Sequence, residues 1–185
     1  MLAAGFRHGV AALAACVAAS GIVPAHAQVP SLSLEHGVKA TYLHKIAAFV
    51  EWPASAFESA DSPLVLCVAG NDPVGKLVPE AAIGRTYGMR EIVVRRIAQP
   101  AATASCHILY VAGLRDETIT AYLESVRDKP VLTVTDGAPD RRFKGAVNFV
   151  IRDNRVRLEV DLELATAHRL VVSSKLIGIA ARVVP

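Results

Sequence analysis

Aromatic residues are scarce in this 185-residue chain, 5% of the whole with a single tryptophan, and it has only two methionines and three cysteines. That excludes a core built on large rings. The 52% hydrophobic content must instead pack as Val, Leu, Ile and Ala. An excess of one charge is also missing, since 20 Lys and Arg stand against 17 Asp and Glu and leave only +3. Without a basic block there is no nucleic-acid footprint. The apolar content excludes a disordered tail, and the length suits one domain rather than two. No internal repeat or linker breaks the chain.

Past residue 27 no apolar run is long enough to span a bilayer. The first 27 residues carry one formal charge, Arg7, then an Ala-rich apolar stretch and the ending Pro24-Ala25-His26-Ala27. That order reads as a secretory signal peptide over residues 1–27, cleaved after Ala27. A lipobox at Leu13-Ala14-Ala15-Cys16 is the rival reading, but few apolar residues precede Leu13 and the run continues past Cys16. Residues 28–185 are then expected in a periplasm, which lacks ATP and reduced nicotinamide; enzymes that need either fuel are set aside. Loss of Cys16 leaves Cys67 and Cys106. An even pair in an exported chain favours a disulfide over two buried free thiols. The loop it closes would make it worth roughly 3 to 4 kcal/mol.

Apolar positions at Leu34, Val38, Tyr42, Ile46, Phe49 and Val50 form a helical stripe, with Ser31 or Ser33 as cap and Pro53 as stop. The run 63–69 reads as a strand buried on both faces, followed by a short helix over 74–82. Strands are expected over 89–97, 107–112 and 130–135, with a helix over 116–127. Strands over 146–151 and 156–160 flank Asp153-Asn154, a hairpin signal. A last helix, capped by Ser173 or Ser174, carries Leu176, Ile177 and Ile179. Alternating β and α elements predict a single three-layer α/β domain, its sheet mostly parallel, with a C-terminal hairpin and flanking helices.

Chemistry-bearing patterns are few. Gly70-Asn-Asp-Pro-Val-Gly75-Lys76-Leu77 nearly spells a phosphate-binding loop, but Leu77 cannot hold magnesium and Pro73 removes a backbone N–H. His36, His44, His107 and His168 show no metal-ligand spacing and are expected at the surface. Asp136 and Asp140 follow a strand, where α/β proteins place ligands, yet Asp-Gly-Ala-Pro is also ordinary turn chemistry. Ser173-Ser174-Lys175 reads as helix capping, with anion binding as the alternative. Trp52, at a corner before Pro53, is a core or lid residue or else an anchor for a partner. No catalytic machinery, cofactor site or metal site stands out.

The stretch Val38-Lys-Ala-Thr-Tyr-Leu-His-Lys-Ile-Ala-Ala-Phe-Val-Glu-Trp-Pro53 resembles the opening signature of the YfiR family of periplasmic proteins. The likeness continues through 63–70, 106–110, 131–134, 147–149 and 157–160, and ends at Ser173-Ser-Lys-Leu176. His44-Lys45-Ile46 and His168 depart from the commoner residues, and a second cysteine pair of some members is missing. The resemblance implies a regulator, not an enzyme. Such a protein binds the periplasmic region of an inner-membrane GGDEF diguanylate cyclase and represses cyclic di-GMP synthesis. An OmpA-like outer-membrane lipoprotein can sequester it. It also implies a homodimer, and a disulfide at Cys67 and Cys106. Trp52, Ser173, Ser174 and Lys175 are the expected partner-binding residues. A free-standing sensor of a small periplasmic ligand, with another partner, is the alternative function.

Overall fold

The computed structural model describes residues 31–137 and 143–185. The expected leader, Asp140 and the side chains of Ser31 and Ser33 lie outside what is described. Chain order begins with α1 (Ser31–Lys45), β1 (Val50–Glu51), β2 (Leu64–Ala69), α2 (Pro73–Ala81), β3 (Thr86–Tyr87) and β4 (Arg90–Ile97). There follow β5 (Ile108–Val111), α3 (Asp116–Glu124), β6 (Leu132–Asp136), β7 (Val147–Arg152) and β8 (Arg155–Asp161). The chain closes with α4 (Leu162–Ala167), β9 (Val171–Val172), α5 (Ser174–Ile179) and β10 (Arg182–Val184).

Among the described residues, eight strands form the main sheet in the order β10-β8-β7-β6-β5-β2-β4-β3. The five from β4 to β7 run parallel, β3 pairs antiparallel with β4 and β8 with β7, and β10 runs parallel to β8. The chain steps from β2 outward to β4, then returns to β5 on the other side of β2, a doubly wound topology with its switch point between β2 and β5. The expected α/β fold with a mostly parallel sheet is what the structure has.

Period-two alternation divides the core. Leu66, Val68, Tyr110, Val134, Val147, Phe149 and Leu158 face α1 and α2. Val65, Cys67, Leu109 and Val111 face α3, which contributes Ile119 and Tyr122. Each fully buried Leu, Ile or Val adds about 1.5 to 3 kcal/mol over its exposed state. The whole of β2 is buried, as a central parallel strand requires. Cys67 in β2 is joined to Cys106, just before β5, with Cα atoms 5.7 Å apart and 39 residues between them.

Local chemistry explains the joints. Asp153 and Asn154 have φ of 50° and 57°, the mirror-image turn that the β7–β8 hairpin needs. Gly70 has φ 96°, and a Cβ there would sit 1.9 Å from the Ala112 carbonyl oxygen, so only glycine closes the end of β2 onto β5. Pro79 inside α2 has no N–H to offer the Gly75 carbonyl; Arg96 donates to that oxygen instead, at 3.0 Å.

The expected helix to Val50 ends earlier. Lys45 closes α1, residues 46–49 tighten into a 3₁₀ turn, and Val50–Glu51 become a strand because they pair with β9, over a hundred residues away. Helix α3 likewise stops at Glu124 rather than Arg127, in a series of turns from Ser125 to Lys129. Histidines expected at the surface are mostly inside: His44, His107 and His168 are all buried. For His107 and His168 the reason is that ring nitrogens find backbone carbonyls, at Ala56 and Lys129.

Candidate functional site

The expected partner-binding residues flank a two-stranded ribbon outside the main sheet. Val50 and Glu51 of β1 pair antiparallel with Val172 and Val171 of β9. The Ser173 N–H extends the ladder by donating to the Phe49 carbonyl at 2.9 Å. Trp52 directly follows β1 and Ser173 directly follows β9, so the antiparallel pairing sets them at opposite ends of the ribbon. The Ser173 hydroxyl accepts the Lys175 N–H at 3.1 Å and so caps α5, while Ser174 and Lys175 are exposed.

Trp52 is not a surface anchor. It is 8% exposed, and its indole N–H donates to the His107 carbonyl at 3.2 Å. Its ring meets Tyr87 edge-on, with centroids 5.2 Å apart. Phe57 stacks on His107 at 4.4 Å, with the Arg90 guanidinium 3.9 Å from the Phe57 centroid. His107 Nδ1 accepts the Val65 N–H and Nε2–H donates to Ala56, a pairing that requires neutral imidazole. Burial pushes its pKa down, Ala56 pulls it up and Arg90 adds to the lowering. Trp52 is thus the post beneath the ribbon. Its exposed neighbours along the chain are Glu51, Ala54 and Ser55, and Val171, 61% exposed, pairs with Glu51 across the ribbon.

The carboxyl end of the sheet, where this topology places ligands, is stoppered by the chain's own charges. Lys39 of α1 donates to both Asp136 oxygens at 2.8 Å and pairs with Glu35 at 2.7 Å. Burial opposes the ammonium charge, but the bonds to Asp136 and Glu35 outweigh it and hold the Lys39 pKa above its usual value. Asp136 is pushed upward by burial against the pull of Lys39. Tyr110 donates to Asp72 Oδ2 at 2.8 Å, and burial with Asp136 and Asp72 alongside drives its phenol far above the usual range. Asp72 also accepts the Val74 and Gly75 N–H groups at 3.1 Å, the donors a phosphate would need. The phosphate-loop look-alike is therefore a capped strand-to-helix turn. The residues of this cluster bind one another.

A second feature escaped the sequence reading. On the α3 side the main sheet turns polar past β5, with Thr133, Thr135, Asn148 and Glu159 all buried. The alternation in Leu132-Thr-Val-Thr135 and Val147-Asn-Phe149 carries that signal, since every second residue there is polar.

These features define a class: a disulfide-stapled, doubly wound α/β domain with a filled switch point and a half-exposed ribbon. The chain belongs to the YfiR/HmsC-like family, whose sequence profile matches residues 36–181. That span runs from the second turn of α1 to the residue before β10 and takes in both ribbon strands. No curated protein matches the chain. The family consists of periplasmic regulators rather than enzymes and is tied to diguanylate cyclase signalling.

Proposed function

We propose that this protein is a periplasmic repressor that binds the periplasmic region of an inner-membrane GGDEF diguanylate cyclase and lowers cyclic di-GMP synthesis. Membership of the YfiR/HmsC-like family carries the reading. The ribbon and α5 would supply the surface: Val171 of β9 and Ile179 of α5 are exposed, at 61% and 53%, as are Ser174 and Lys175, while Ser173 caps α5 and buried Trp52 follows β1. Repression requires tighter binding to the inactive cyclase than to the active one. An OmpA-like outer-membrane lipoprotein is the competing partner that relieves it, and a homodimer is the working form. Residues 1–27 serve as a leader removed after Ala27, so the working chain spans 28–185.

Deleting the gene tests this directly. Cyclic di-GMP and biofilm should rise and return to normal with the intact gene. A gene carrying Val171→Glu should fold yet fail to restore repression or to retain the cyclase region in a pull-down. Unchanged cyclic di-GMP after deletion would refute repression.

The alternative, a free-standing small-ligand sensor with another partner, draws on the buried polar sheet face, and a ligand-dependent melting shift without cyclase binding in a pull-down would favour it.

A further inference from the structure

One rung of the sheet crosses six strands in register. Ala69 of β2 pairs with Val111, Val111 with Thr135, Thr135 with Asn148, Asn148 with Glu159, and Glu159 with Arg182 of β10. All face the α3 side, because neighbours in register share a face. The rung begins apolar under α3, becomes polar and ends cationic. Helix α3 packs on the apolar half. Over the polar half lies a cleft of about 740 Å³, bordered by α3, α4 and the segment that leads into β7.

The cleft wall holds an unmet demand. Asn148 is 2% exposed, and its Nδ2 has no hydrogen-bond partner among the described residues. Its orientation is fixed. Thr135 Oγ1 accepts the Gly145 N–H at 3.0 Å and donates its own proton to Asn148 Oδ1 at 2.9 Å. Turning the amide would leave that hydroxyl proton without its acceptor. A Cβ on Gly145 would come within 2.5 Å of the Thr133 carbonyl oxygen, so glycine is what lets this backbone close on the rung. A buried N–H donor left open costs about 1 to 3 kcal/mol unless an acceptor comes to it.

Each carboxylate of the wall among the described residues already holds a donor. Glu159 takes Lys144 on one oxygen at 3.1 Å and Arg152 on the other at 3.0 Å. Asp161 accepts the Leu164 N–H at 2.9 Å as the cap of α4. Arg127 is paired with Glu124 at the rim, and Arg182 adds a further guanidinium there. Leu123, Phe143 and Leu164 line the remainder. The volume lies in the range of small-molecule sites, roughly 300 to 1,000 Å³, and far exceeds what one ion fills.

We propose that this cleft binds a small organic acid, its carboxylate accepting from Asn148 beside Lys144 and Arg182, and its apolar body lying against Leu123, Phe143 and Leu164. The site is separate from the ribbon, and the inference stands whether or not the cyclase is the partner.

The test titrates the protein with benzoate and hexanoate, and with benzamide and hexanamide as uncharged counterparts. Two-dimensional amide NMR follows the Asn148 side-chain pair, and thermal melting follows stability. Carboxylates should shift the Asn148 signals saturably and raise the melting temperature, and amides should bind about tenfold more weakly, the weight of one charge-assisted hydrogen bond. Asn148→Asp should abolish binding by setting an acceptor against the carboxylate. Arg182→Gln, at an exposed position, should weaken binding several-fold and so tests the site even if the first variant folds poorly. Val171→Glu on the ribbon should leave it unchanged. No saturable shift up to about 10 mM, a weak fragment's range, would overturn the proposal. So would equal binding of acids and amides, which would mean that charge is not read.

Discussion

Replacing both Cys67 and Cys106 with alanine isolates what the bridge contributes. The cysteines are 39 residues apart, and closing a loop of that size in the unfolded chain removes entropy worth about 4 kcal/mol at 25 °C. The structure argues against much loss in the folded state. Cys67 sits in a strand already hydrogen-bonded to β4 and β5, and His107, next to Cys106, is itself tied to the Val65 carbonyl through its N–H. The two strand ends therefore stay together without the sulfurs. Alanine avoids the added penalty of serine, whose hydroxyl would be buried without a partner at position 67. For a domain of this size about 4 kcal/mol corresponds to a fall in Tm of roughly 8 to 16 °C. Calorimetry of the oxidised protein, the reduced protein and the double variant should place the last two together and well below the first. A difference under about 1 kcal/mol in oxidising buffer would refute the chain-entropy account.

Acid should weaken the Trp52 corner. His107 has a lowered folded pKa, so its share of stability is complete above the unfolded value near 6.5 and is lost as pH falls through the folded value. His107→Gln should flatten the slope of urea midpoint against pH between about 7 and 5. Lys39→Met should cost about 3 kcal/mol at pH 7 by leaving Glu35 and Asp136 without their cation. Part of that should return at low pH, because a carboxylate with a raised folded pKa favours the native state as it protonates; urea melts at two pH values check both. Asn154→Gly should gain about 0.5 to 1 kcal/mol, since φ of 57° costs glycine nothing, and the denaturation midpoint reports it.

How much of this was legible depends on whether the signal was local. Strands β2, β5 and β6 announce themselves as short Val- and Leu-rich runs, and the β7–β8 turn is written in Asp153-Asn154. Strands β1, β3 and β9, of two residues each, have no periodicity to read; β1 and β9 exist because distant backbones meet. Helix α4 has six residues and a cap at Asp161, too short to stand out beside the strand before it. For the candidate site, Ser173 was readable as a cap. The burial of Trp52 was not, since it depends on Tyr87 and on the His107 carbonyl. Asn148 was visible as a polar residue in an apolar strand, but its open Nδ2 follows from Thr135 thirteen positions earlier.

The pairing of β1 with β9 also bears on when the protein becomes competent. Val50 is made early and must wait for Val172 before the ribbon exists at all. A partner that grips this surface would therefore ignore nascent, nicked or half-unfolded molecules and engage only those whose two ends have come together. Recognition by such a partner would then double as inspection, since the surface it grips attests that the domain is whole.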